Sequence, residues 1–168
     1  MTTTRNSMTL LTGRIAVVLA VSVLPGLAVS GAPASAGATF CRGEVVTITG
    51  TAGADVIRGT ARDDSILARG GNDEIRGLGG NDEICAGRGD DRLAGGDGRD
   101  TLDASAGADT LLGNDGNDDL LGGDGRDALN GGAGPDELVG GPGRDTLNGG
   151  PGSDDCRSGE VVQSCESG

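Results

Sequence analysis

Four stretches decide how this chain folds: GGDGRDTLD (95 to 103), GGDGRDALN (122 to 130), GGAGPDELV (131 to 139) and GGPGRDTLN (140 to 148). Each is nine residues long, and the last three follow one another without a gap. Extended in both directions, the same period holds with no insertion from Gly50 to Arg157, which makes twelve units. A fixed short period of this kind marks a stacked-repeat architecture. Position six is aspartate in all twelve: Asp55, Asp64, Asp73, Asp82, Asp91, Asp100, Asp109, Asp118, Asp127, Asp136, Asp145 and Asp154. Position eight is Ile or Leu in eleven units, from Ile57 to Leu147, and Cys156 in the last. Position four is Gly in eleven, with Arg62 the exception, and position one is always Gly or Ala.

Each position implies a local structure. Glycines at positions one, two and four permit positive φ and close backbone approach, so the first six residues read as a tight loop. The last three read as a short strand whose side chains alternate between faces, so position eight points inward and seven and nine point out. Position seven is accordingly mixed (Glu74, Arg92, Thr101, Asp119, Glu137) while position eight is uniformly aliphatic. Two units then make one coil. Stacking coils at about 4.8 Å gives an all-β parallel β-roll, a β-solenoid of two facing sheets over a thin aliphatic ladder, and six coils give a rod of roughly 30 Å. Alternate units share an edge, so Asp55, Asp73, Asp91, Asp109, Asp127 and Asp145 line one edge and the remaining six line the other. Neighbouring carboxylates about 5 Å apart would repel by about 3 kcal/mol at an effective dielectric of 20. A roll of this kind calls for counter-ions.

Composition agrees with that need. The chain has 168 residues, 35 of them glycine, no histidine, one aromatic residue (Phe40) and a formal charge of -13. An aromatic-rich core is excluded, and so acidic a surface is a poor partner for nucleic acid, which needs a basic one. Gly and Asp at these levels also suit disorder, but a disordered tract has no reason to hold a nine-residue phase over twelve units.

The consensus G-G-x-G-x-D-x-U-x, with U a large aliphatic residue, resembles the repeat of the RTX, or haemolysin-type, calcium-binding family. The resemblance spans residues 50 to 157 and implies that loops of successive coils clamp calcium ions through the aspartates and backbone carbonyls, which extends to all twelve aspartates above. Carboxylates and carbonyls are hard oxygen donors, and a flexible cage of them suits calcium better than magnesium. Turn-capping alone would be served equally by Asn or Ser, and neither replaces Asp at position six. Departures from the pattern include GTAGADVIR (50 to 58), GTARDDSIL (59 to 67), ARGGNDEIR (68 to 76) and ASAGADTLL (104 to 112), which lose the double glycine.

Ahead of the repeat, Arg5 and Arg14 precede an apolar run from Ile15 to Val29, and Ala34-Ser35-Ala36 fits a signal-peptidase site. The run is too short to span a membrane and is interrupted by Pro25 and Gly26. Residues 1 to 36 are therefore expected to be a secretory leader cleaved near Ala36, residues 37 to 49 an N-terminal cap containing the strand VVTIT (45 to 49), residues 50 to 157 the roll, and residues 158 to 168 a C-terminal cap. Loss of Arg5 and Arg14 makes the mature charge -15. In an oxidising space the four cysteines are expected to pair. Continuing the frame puts Cys165 at position eight of a thirteenth unit, SGEVVQSCE, facing Cys156, which leaves Cys41 for Cys85. A zinc site is disfavoured, because the spacings lack C-x-x-C and there is no histidine.

Other motifs are weak. GDGRDA (123 to 128) fits a loose dinucleotide loop and DGNDDL (115 to 120) the start of an EF-hand, but no helix or 12-residue acidic spacing accompanies either. No nucleophile sits in a recognisable catalytic setting and a thin solenoid offers no deep pocket, so the chain reads as non-catalytic. The function expected is that of a secreted, monomeric or weakly associating calcium-binding protein. Its rival is an extracellular adhesion module that uses the rigidified roll as a scaffold for an unknown partner.

Overall fold

The computed structural model describes residues 16 to 19, 40 to 158 and 161 to 165, and among these every regular element is a strand. The expected cleavage site at Ala36 and the last residues of the C-terminal cap lie outside them. Position eight sets the architecture. Ile57, Ile66, Ile75, Ile84, Leu93, Leu102, Leu111, Leu120, Leu129, Leu138 and Leu147 are all buried and join Ile48 in one continuous ladder, with Cys156 packed against its end. Their neighbours at seven and nine face outward, as the exposed Glu137 and half-buried Val139 do around Leu138.

Two sheets of parallel strands result. One runs in the order Ala16–Leu19, Asp55–Arg58, Glu74–Gly79, Arg92–Asp97, Thr110–Asp115, Ala128–Ala133, Thr146–Asn148, Val161–Gln163. The other runs Ile48–Thr49, Ser65–Gly70, Glu83–Arg88, Thr101–Gly107, Asp119–Leu121, Glu137–Val139, Asp155–Arg157, with Asp124–Gly125 paired to the far end of Thr101–Gly107. The chain passes from one sheet to the other at each loop, so consecutive units alternate and residues eighteen apart come into register: Ile84 with Leu102, Leu102 with Leu120. Residues 50 to 157 form a solenoid of six coils.

The strands are longer than the repeat alone suggests. In the first four coils most run six residues or more, through positions one to three of the following unit. Position one therefore faces in as well, and Ala68, Ala86 and Ala104 are fully buried core residues. This follows from period-two alternation, which carries the inward face of position eight on to position one of the next unit.

Both ends depart from expectation. Residues 45 to 49 do not form one strand: Phe40–Cys41 and Glu44–Val45 make an antiparallel hairpin, and Ile48–Thr49 separately begins the second sheet. The hairpin is tied to that sheet by the Cys41–Cys85 disulfide and a 3.6 Å Arg42–Asp103 ion pair. At the other end Cys156 is bonded to Cys165, but Cys165 does not occupy the next ladder position. Strand Val161–Gln163 pairs with Thr146–Asn148 so that Val162, not Cys165, stands opposite Leu147. The physical reason is the loop: position six of a thirteenth unit would be Gln163, and without the GGxGxD set the next strand already begins at Val161.

Candidate metal centre

Position six shares the inward parity of position eight, and every aspartate there except the half-buried Asp64 is almost wholly buried, Asp136 being the most exposed of the eleven at 4%. What holds these carboxylates is a ladder along each edge. On the first edge the backbone N–H of Asp55 donates to Oδ1 of Asp73 at 2.8 Å, that of Asp73 to Asp91 at 2.7 Å, and that of Asp91 to Asp109 at 2.7 Å. Asp109 donates to Asp127 at 2.9 Å and Asp127 to Asp145 at 3.1 Å. The second edge repeats the pattern through Asp64, Asp82, Asp100, Asp118, Asp136 and Asp154 at 2.8 to 3.0 Å. Each carboxylate thus reaches back by one coil, and an acceptor of this kind stiffens the stack as well as offering charge.

The second oxygen behaves differently. Oδ2 of Asp73, Asp82, Asp91, Asp100, Asp109, Asp118, Asp127, Asp136, Asp145 and Asp154 is buried and has no hydrogen-bond partner. An ionised carboxylate oxygen left so costs several kcal/mol unless a cation meets it. Burial accordingly pushes the carboxyls of Asp82, Asp109 and Asp118 up to about 7 and that of Asp91 up to about 6, and the like charges of edge neighbours push the same way. The ladder hydrogen bonds oppose the rise without cancelling it.

These oxygens have carbonyls for company. At Gly122, the place a Cβ would take lies 2.6 Å from Oδ2 of Asp127 and 2.7 Å from the carbonyl oxygen of Gly140 in the next coil; at Gly131 the same place lies between Oδ2 of Asp136 and the carbonyl of Gly149. A carboxylate and a carbonyl oxygen of successive coils therefore lie close together against position one, too close there for a methyl group without a shift. No three acidic or cysteine side chains converge among the described residues, so a cation in a loop would draw on no more than two carboxylates and complete its shell with backbone oxygens. Such an all-oxygen set fits calcium.

Asp55 and Asp64, expected to act like the other ten, differ in their contacts. Oδ2 of Asp55 accepts from the Thr51 N–H at 2.6 Å and its hydroxyl at 3.0 Å, and Oδ2 of Asp64 from the Thr60 N–H at 2.7 Å and hydroxyl at 2.9 Å. The loops without a double glycine are otherwise intact. Arg69, Leu78, Ser105 and Asn114 occupy position two at φ of 83°, 92°, 74° and 82°, the left-handed conformation that glycine takes in their neighbours.

A second ladder, at position five, runs outside the first. Oδ1 of Asp63 accepts from the N–H of Asn81 at 2.7 Å, and Oδ1 of Asn81 from that of Arg99 at 2.9 Å. On the other edge Asn72 accepts from Asp90 at 3.1 Å and Asp90 from Ala108 at 2.9 Å. Its signal in the sequence is the Asx residue at position five of five units, visible only once residues eighteen apart are known to stack.

Parallel coils, buried carboxylates with one open oxygen and converging loop carbonyls define a calcium-binding β-roll. Residues 49 to 84, 86 to 120 and 121 to 156 each match the RTX calcium-binding nonapeptide repeat. Together these cover well over half of the chain, which belongs to the RTX calcium-binding repeat family, whose repeats bind calcium between loops. No curated protein matches the chain.

Proposed function

We propose that this protein is exported, folds by taking up calcium in its loops, and has no catalytic role of its own. The observation that carries the reading is the set of ten buried Oδ2 atoms without a partner, repeated at coil spacing along both edges. Ten like charges in two rows oppose closure of the roll, and a divalent cation beside each converts repulsion to attraction. Binding and folding are then one linked event. The site residues are Asp73, Asp82, Asp91, Asp100, Asp109, Asp118, Asp127, Asp136, Asp145 and Asp154, with affinity in the roughly 10⁻⁴ to 10⁻³ M range of extracellular modules.

Export is supported by the leader-like composition of residues 1 to 36 and by two disulfides, which persist in oxidising compartments. Among the described residues no helix is long and apolar enough to cross a membrane. Cleavage after Ala36 would remove the strand Ala16–Leu19 and leave Asp55–Arg58 as the edge of its sheet, with Arg58 as the kind of charged residue that discourages edge-to-edge pairing. The outward positions are mixed in charge and size, which gives no regular plane for an adhesive role. The test is a calcium titration of residues 37 to 168 by circular dichroism: conversion from disorder to β structure by calcium, and poorly by magnesium, is expected. The same spectrum and melting temperature with and without chelator would defeat the proposal. Mass spectrometry of the secreted product reports the cleavage.

A further inference from the structure

Position two of the repeat takes two conformations, and they divide the aspartates. In ten units, from Arg69 to Gly150, position two has positive φ: Arg69, Leu78, Gly87, Gly96, Ser105, Asn114, Gly123, Gly132, Gly141 and Gly150. These are the same ten units whose aspartate carries an open Oδ2. In the first two units position two is threonine, lies outside the left-handed region, and turns both its N–H and its hydroxyl on to Oδ2 of the aspartate four residues later. A carboxylate that accepts two such bonds has the anionic form satisfied by the protein itself.

We infer that Thr51 and Thr60 stand in for a cation in the first two loops, so that Asp55 and Asp64 need no calcium and the N-terminal coil closes first, as a metal-independent template. The inference rests on the calcium reading of the other ten aspartates. Its logic is geometric: in the ten loops with positive φ at position two no donor reaches Oδ2, and the oxygen is left for a metal. Two further features fix the same end without metal. The side chain of Thr47 both donates to and accepts from the backbone of Ser65 at 3.0 Å, and the Cys41–Cys85 disulfide ties the entering hairpin to a strand two coils on. The first ladder bonds, from Asp55 and Asp64 to Asp73 and Asp82, then present an ordered backbone N–H to the next carboxylate on each edge. Calcium-driven folding thereby acquires a direction, from Gly50 towards Arg157.

The experiment compares Asp64→Asn with Asp82→Asn in residues 37 to 168, reading the calcium midpoint by circular dichroism and bound calcium by equilibrium dialysis. The Asp64→Asn side chain keeps an oxygen for the Thr60 donors, so the midpoint stays at the wild-type value, whereas Asp82→Asn moves it several-fold higher. The double change Thr51→Gly and Thr60→Gly uncovers both oxygens, and the number of ions bound rises. Amide exchange in chelator supplies an independent reading on the unaltered chain: the N–H groups of Thr51 and Thr60 are protected while those of Asp100 and Asp118 exchange freely. Should Asp64→Asn shift the midpoint as far as Asp82→Asn, or should Thr51 and Thr60 exchange as fast as Asp118 in chelator, the inference fails while the calcium reading stands. If neither Asp82→Asn nor the chelator has any effect, it is the calcium reading that fails.

Discussion

Oδ1 of Asp118 accepts the backbone N–H of Asp100 at 2.8 Å while its Oδ2, also buried, has no partner. One carboxylate thus joins two coils with one oxygen and offers the other to a cation. Asp118→Ala removes both roles and leaves the Asp100 N–H buried without an acceptor, a loss of about 1 to 3 kcal/mol before any metal is counted. The expected result is a higher calcium midpoint and a lower melting temperature at fixed calcium. Asp119→Ala, at outward position seven with a surface ion pair to Arg99 at 3.4 Å, should change either quantity little, because exposed pairs contribute about 0 to 1 kcal/mol.

Acid should act on the calcium-free and calcium-loaded forms in opposite senses. Burial raises Asp82, Asp109 and Asp118 to about 7 and Asp91 to about 6 in the folded chain, above the ordinary value of 3.8. The folded metal-free form therefore binds more protons than the unfolded one between about pH 4 and 7, and stability falls as pH rises through that window. In chelator, lowering the pH from about 7.5 towards 5 is expected to increase β structure. With calcium present, protons compete for the same oxygens and the midpoint rises as the pH falls. Circular dichroism across this range at zero and saturating calcium checks both signs.

Leu78 sits at φ 92° in a position where six of its equivalents are glycine, and its side chain is 39% exposed. A left-handed non-glycine residue costs about 1 to 2 kcal/mol, and little apolar burial is lost on its removal. Leu78→Gly should stabilise the calcium-loaded roll by about 1 kcal/mol after the entropy of glycine is allowed for, measured as a higher melting temperature. An unchanged or lower value would show that the loop draws no strain from this residue.

The disulfides should differ in effect. Cys41 and Cys85 are 44 residues apart and Cys156 and Cys165 only 9. Loop-closure entropy then predicts a loss of about 4 kcal/mol for Cys41→Ser with Cys85→Ser, against about 3 kcal/mol for the C-terminal pair. Calcium titrations of the two double variants rank them: the N-terminal pair should show the larger rise in midpoint.

The architecture is legible in the sequence because position eight and position six each hold one chemistry almost without a break, and period-two geometry converts such constancy into an inward ladder and two carboxylate edges. What stays hidden depends on neighbours eighteen residues away. The hydrogen bonds of Asp63 to Asn81 and of Asn72 to Asp90 join residues with no local relation. The role of Thr51 and Thr60 requires the backbone of position two, since threonine there could equally be left-handed, as Ser105 and Asn114 are. Val162 takes the place expected for Cys165 because the nine-residue frame does not extend past the last loop that owns an aspartate.

The Cys41–Cys85 bond has a mechanical side. Tension entering from the N-terminal side of Cys41 would cross to Cys85 through sulfur, so the chain between them is shielded from load. Beyond Cys85 the coils stack one on the next, and each coil is held by those on either side. Such a stack yields from its loaded end, coil by coil, each release adding roughly 60 Å of chain. Under tension the roll would then lengthen in steps beyond a locked first segment, and calcium held in the loops would raise the force that each step needs.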